Sequence, residues 1–223
     1  MANKKQILTE EQIGFLQFAA KHSFIRKNYY LTGGTPLAAF YLHHRYSEDL
    51  DFFTEDREVN LVSVQALIKN CRKKFKLKDV SYQNYQGLHT FSLKYPNGNE
   101  LKTDFNYYPF PRVEKGGVKY GVETDSLLDI AVNKLQTIGT RTKTRDFVDL
   151  FFIIQEAKYT IPELMKSARA KFDFFIEPTQ YGKQFVQVTK LKDYPRMIKP
   201  LNKNDMWDFF LNEAQKLGRE IFK

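Results

Sequence analysis

Asp49 and Asp51 stand one residue apart in the run Ser47-Glu48-Asp49-Leu50-Asp51-Phe52-Phe53. In a strand both carboxylates point to one face, because side chains alternate with a period of two. Two such charges held about 4 Å apart repel by roughly 4 kcal/mol at an effective dielectric near about 20. A cation relieves that repulsion, and an oxygen-only donor set suits Mg²⁺ or Mn²⁺. An isolated Asp-x-Asp is also the ordinary polar face of an edge strand, so what precedes it matters. Upstream lies Tyr30-Leu31-Thr32-Gly33-Gly34-Thr35-Pro36. Consecutive glycines let the backbone come close to a ligand, and Thr35 as N-cap with Pro36 in the first helical position predicts a helix that opens there. A helix N-terminus favours phosphate. Phosphate cradle and paired carboxylates together are the layout for metal-assisted phosphoryl or nucleotidyl transfer. Asp104 is the candidate third carboxylate, able to complete a two-metal site or to accept a hydroxyl proton; the plainer reading is a strand aspartate beside Lys102.

The elements that must position these residues follow from periodicity and turn chemistry. Thr9-Glu10-Glu11-Gln12 reads as a capping box opening an amphipathic helix to about Lys27. A strand over 28–32, the glycine turn, a helix from Pro36 to about Tyr46 and the carboxylate strand to about Thr54 come next. A helix over 59–75 ends in Arg72-Lys73-Lys74, and strands are predicted over 80–85, 88–95 and 100–107. Pro96-Asn97-Gly98-Asn99 joins the last two as a hairpin. In the strand over 100–107, Lys102, Asp104 and Asn106 share a face opposite Leu101, Thr103 and Phe105. Another hairpin up to Glu123 precedes helices at about 125–139, 144–156, 162–175, 179–189 and 202–222.

The 223 residues, 42% hydrophobic and 15% aromatic, are enough for a substantial core. A single cysteine, Cys71, excludes an intramolecular disulfide framework and a thiolate zinc cluster. Met1–Lys5 lacks the apolar core of a signal peptide and no apolar run reaches membrane-span length, so the expectation is a cytoplasmic chain without membrane contact. The net charge of +9 favours a polyanionic partner, nucleic acid or nucleotide, although a generic solvated surface has the same signature.

Gly33-Gly34-Thr35, Ser47-x-Asp49-x-Asp51 and Asp104 together resemble the nucleotidyltransferase superfamily that includes DNA polymerase beta. Leu31 to Ala38 and Arg45 to Phe53 resemble more narrowly the AbiEii/AbiGii toxin family of type IV toxin–antitoxin systems. A second block agrees: Lys134-Leu135, Arg141, then Arg145-Asp146-Phe147-Val148-Asp149-Leu150. The matches span about residues 28 to 155. The resemblance implies an α+β nucleotidyltransferase-like mixed sheet with flanking helices, a core over 1–123 and a helical region over 124–223 that closes the cleft. It implies that Gly33, Gly34, Thr35 and Ser47 bind the nucleotide with Lys134 and Arg145, and that Asp49, Asp51 and Asp104 hold metal. Lys134 would reach the triphosphate and Asp146 would orient it or the acceptor. The activity implied is metal-dependent transfer of NMP from an NTP to an acceptor hydroxyl, with RNA or tRNA as acceptor and a cognate antitoxin as counterpart.

Two other readings share these residues: a nucleotidyltransferase acting on a small hydroxylated molecule, and a catalytically silent nucleotide- or protein-binding module. Arg145 with Asp149 also reads as a plain i,i+4 helix pair, His44 as a packed histidine, and Arg45 as support for the carboxylates. Tyr107, Tyr108 and Phe110 could line a base-stacking cleft, and Arg72–Lys74 and Arg141–Arg145 could meet RNA.

Overall fold

A computed structural model describes residues 7–55 and 57–221; Met1–Lys5 and Phe222, used in the sequence reading, lie outside them. The chain divides into two compact units, the first made of residues up to Phe40 with Ser47–Ser126 and the second of Tyr41–Tyr46 with Leu127 onward.

The first unit is built on a seven-stranded mixed sheet. Its strands are β1 (Tyr30–Thr32), β2 (Leu50–Thr54), β3 (Asp79–Tyr85), β4 (Leu88–Lys94), β5 (Glu100–Tyr107), β6 (Lys115–Lys119) and β7 (Val122–Asp125). The order across the sheet is β3-β4-β5-β2-β1-β7-β6. β1 runs antiparallel to β2, whereas β2 is parallel to β5 and β1 to β7. Period-two burial separates the faces: Leu50 and Phe52 of β2 and Leu101 and Phe105 of β5 enter the core, and Phe52 stacks on Phe105 at 5.1 Å. Helices α1 (Glu10–Ala19) and α4 (Leu61–Phe75) supply Phe15, Leu16, Val64, Leu67 and Cys71 to the same core.

The amino-terminal capping box is present, Thr9 and Gln12 bonding reciprocally. The single helix expected to Lys27 is two, with α2 over Ser23–Asn28. The first closes through short i→i+3 bonds, Lys21 to Phe18 and His22 to Ala19, and His22 turns extended. The helix after the glycines also differs. It opens at Gly34 (α3, Gly34–Pro36), with Gly33 as N-cap, continues as a π-helix over Leu37–Leu42, and stops before His43, whose φ is 53°.

The second unit is helical: α5 (Leu127–Thr140), α6 (Thr144–Ala157), α7 (Ile161–Lys171), α8 (Pro178–Phe185) with a 3₁₀ turn over Val186–Lys190, and α9 (Lys203–Ile221). Leu135, Phe147, Tyr181, Phe185 and Phe210 are buried among them. A lysine–aspartate pair, Lys171 with Asp129, is fully enclosed. Among the described residues no helix is long and apolar enough to cross a membrane.

Candidate active site

Sheet register brings the carboxylates of the first unit together. Asp51 on β2 lies beside Asp104 on β5 and beside Thr32 on β1, and Thr90 on β4 stands opposite Asp104. These residues form one row across the sheet, on the face away from the apolar core. Asp49 precedes β2. Lys102 bridges the cluster, its ammonium 3.0 Å from Asp104 Oδ2 and 3.7 Å from Asp49 Oδ2. Partial burial works against the charge of Lys102. The Asp104 bond and the negative charges of Asp49, Asp104 and Asp51 override it and raise its pKa.

Gly33 is fixed in a conformation reserved for glycine, φ 83° and ψ −150°. A Cβ at this position would overlap the Asp51 carboxylate, so the turn and the acid are packed backbone against side chain. Thr35 is not the N-cap that the sequence suggested. It lies inside the helix and its hydroxyl donates to the Asp49 carbonyl. The cap fails because Gly33 already supplies the reversal and Thr35 is drawn to the chain ahead of β2. Pro36 therefore ends α3 rather than opening it.

Two further residues, whose part in the cluster the sequence did not reveal, fix its surroundings. Gln12, 1% exposed, donates to the carbonyls of Ser47 (3.0 Å) and Glu48 (3.1 Å), holding the segment that leads into Asp49. Thr32 donates to the buried Asp125 at the end of β7. Neither contact is legible in the sequence: the capping box already accounts for Gln12, and Thr32 and Asp125 stand 93 positions apart in the chain. On the same face, Phe53 packs on Tyr108 at 4.9 Å and Tyr108 on Phe110 at 5.0 Å, an aromatic ladder beside the row.

Among the described residues no group of three His, Cys, Asp or Glu side chains is placed to hold a metal ion. The donor chemistry nevertheless fits a hard cation. Asp49, Asp51 and Asp104 offer oxygen only, and Asp104 Oδ1 is buried without a hydrogen-bond partner among the described residues. Lys102 is the positive charge that now bridges Asp49 and Asp104.

The second unit gathers Lys134 and Asp146, but not Arg145, into a buried ionic network. Lys134 on α5 lies 2.7 Å from Asp146 Oδ1 and 2.7 Å from Asp149 Oδ2, both on α6. Arg45 grips Asp149 with two prongs, at 2.6 and 2.8 Å, and the His44 ring nitrogen Nε2 is 2.8 Å from the same carboxylate. Arg141 reaches Asp146 at 3.3 Å. Burial alone would raise the Asp149 pKa, but Lys134 and Arg45 beside it hold it well below the usual carboxylate range. The Lys134 pKa is raised: burial opposes its charge, and Asp149 and Asp146 outweigh that. His44 is held below its ordinary value, burial prevailing over its Asp149 bond.

This network corrects two expectations. Asp149 does not pair with Arg145 one turn back; it is fully buried against Arg45, Lys134 and His44, while Arg145 is exposed and makes no ion pair among the described residues. Arg45, expected to support the carboxylates of the second strand, is committed to Asp149. Ser47 is half-buried, and its carbonyl accepts the Gln12 amide.

The fold and sequence have known relatives. A putative nucleotidyltransferase from H. pylori superposes with a TM-score of 0.60 at 18% identity, covering 96% of this chain and 97% of that one. MenT4, a nucleotidyltransferase toxin from Mycobacterium tuberculosis H37Rv, superposes with a TM-score of 0.59 at 13% identity, over 93% and 81% of the two chains. An uncharacterized protein of Aquifex aeolicus, aq_aa25, is 30% identical over 151 residues, 66% of this chain and 68% of that one. The family model described as nucleotidyl transferase AbiEii toxin, type IV TA system, matches residues 15–223. With mixed sheet, flanking helices and nearly the whole sequence in agreement, the chain belongs to the AbiEii nucleotidyltransferase toxin family.

Proposed function

We propose that the Asp49, Asp51 and Asp104 cluster transfers a nucleoside monophosphate from an NTP to the hydroxyl of an RNA acceptor. The observation that carries this reading is the side-by-side register of Asp51 and Asp104 with Gly33 packed against Asp51. The three carboxylates would hold Mg²⁺ or Mn²⁺, which supplies charge neutralisation at the phosphates and lowers the pKa of the attacking hydroxyl. The bond formed joins the acceptor oxygen to the α-phosphorus. The bond broken joins that phosphorus to the bridging oxygen, and pyrophosphate leaves. Asp104, buried and with one oxygen that bonds no described residue, takes the hydroxyl proton or completes the ion's ligand set.

The Gly33-Gly34-Thr35 turn presents its backbone N–H groups to the phosphates, the Thr35 hydroxyl being engaged elsewhere. The ladder Phe53, Tyr108, Phe110 offers a stacking surface for a base. Within the second unit, Lys134, Arg145 and Asp146 would take the nucleotide-binding and orienting parts that the family resemblance implies, Lys134 being ion-paired with Asp146 and Asp149. RNA, with tRNA the narrower choice, is favoured as acceptor by the +9 charge and by the exposed Arg72, Lys73 and Lys74. A cognate antitoxin is the counterpart that membership of a type IV toxin family implies.

The test is to incubate the protein with each labelled NTP, Mg²⁺ and either total RNA or a panel of small hydroxylated molecules. Label in RNA alone is the expected result. Label confined to the small molecules would replace RNA as the acceptor, and no label with any NTP would remove the reading.

A further inference from the structure

The two edges of the sheet are finished in opposite ways. An exposed edge strand is a template for another strand, and proteins blunt it with lysines, prolines, glycine breaks or bulges. The β6 edge has these devices: Lys115 and Lys119 at its ends, Gly116-Gly117 within, and a register shift between Lys115 and Val118. The β3 edge has none. Its Asp79-Val80-Ser81-Tyr82-Gln83-Asn84-Tyr85 pairs with β4 through seven consecutive partners without a shift, and every residue but Val80 is exposed. Tyr82 and Tyr85 retain 40% and 72% of their surface. Its one charge is Asp79, at the first position, and among the described residues nothing pairs its outer side.

We propose that β3 is a strand-addition surface whose occupant is β3 of a second copy of this chain, joined antiparallel about a two-fold axis. The strand is complementary to itself. In the register centred on Tyr82, Tyr82 meets its own equivalent, Ser81 meets Gln83, Val80 meets Asn84 and Asp79 meets Tyr85. Beyond the strand, Lys78 meets Gln86 of the turn. No like charges are opposed, and each pair is of a kind that stabilises or tolerates cross-strand contact. A two-fold axis normal to the sheet keeps the faces aligned, so both carboxylate rows open on the same side. Their Asp104 residues are then five strand spacings apart, about 24 Å along the hydrogen-bonding direction. A lone strand-to-strand joint buries less than about 1,200 Å² in all, so association is reversible and depends on concentration. None of this rests on the nucleotidyl transfer reading.

The experiment is sedimentation equilibrium of the full chain from about 1 μM to about 1 mM. The wild type is expected to rise from the mass of one chain toward that of two. Ser81→Lys with Gln83→Lys, both at exposed positions, sets Lys against Lys across the joint and weakens dimerisation by about tenfold or more. Ser81→Glu with Gln83→Glu does the same with acids, and an equimolar mixture of the two variants restores a dimer, because Lys then meets Glu. Urea midpoints equal to wild type confirm that the variants are folded. A wild type that stays at the mass of one chain throughout overturns the proposal, even if a strand of another protein binds there. So does a dimer indifferent to the lysines, or a mixture that remains monomeric.

Discussion

At Gly33 the absence of a side chain is what allows Asp51 to occupy its place. Gly33→Ala puts a methyl into the Asp51 carboxylate and forces a backbone conformation that costs about 1–3 kcal/mol. The expected result is a lower urea midpoint together with loss of nucleotidyl transfer; an active variant of wild-type stability would show that the carboxylate does not need that position. His44 gives a pH signature. Its folded pKa is depressed by burial, so an unfolded chain takes up a proton below about pH 6.5 that the folded one resists. The stability that depends on its neutrality is full above about 6.5 and declines as the pH falls toward the folded value. Urea midpoints should therefore drop between about pH 7.5 and about pH 5.5, and drop less in His44→Gln, with His89, also lowered by burial, still contributing. An identical drop in both would remove His44 from the account. At this scale the sequence was most informative for Asp51 and Asp104, since alternation alone assigns their faces; Asp49 precedes β2, outside the alternating strand. The pairing of Arg45 with Asp149 was not legible, because a contact between residues 104 positions apart leaves no periodic trace.

Elements carry the positioning. Register, not proximity in sequence, sets Asp104 beside Asp51: β2 and β5 are parallel neighbours separated by a helix and a hairpin. The hairpins and the capping box were readable from local turn chemistry. The interrupted first helix and the π-helix over Leu37–Leu42 were not, because packing overrode a continuous helical pattern. The capping box itself has a second use, since Gln12 also holds the carbonyls of Ser47 and Glu48. Gln12→Ala leaves both carbonyls without that donor and is expected to cost about 1–3 kcal/mol. It also frees the segment before Asp49, lowering kcat by about 10- to 100-fold. Urea unfolding with single-turnover kinetics checks both, and a variant that loses stability but keeps kcat would confine Gln12 to folding.

For the molecule as a whole, the charge of +9 is the property that bears on the acceptor. If RNA is held by lysines and arginines that displace its counterions, labelling of RNA falls steeply between about 50 mM and about 200 mM salt. Transfer to a small neutral acceptor would change little over that range, so a flat salt profile with RNA would count against an electrostatic docking of the acceptor. The family is legible in the sequence because its motifs are short and ordered along the chain; the acceptor is not, because a diffuse positive surface specifies polyanions without choosing among them.

The Asp51 and Asp104 row is proposed as the centre of nucleotidyl transfer. Pyrophosphate release from NTP, with Mg²⁺ and acceptor RNA, compared between wild type and Asp51→Asn, tests it most directly. A fall of about 100-fold or more with an unchanged urea midpoint is the expected result, as for removing a charge that acts on the reacting phosphates. Equal rates in the two folded proteins would contradict it.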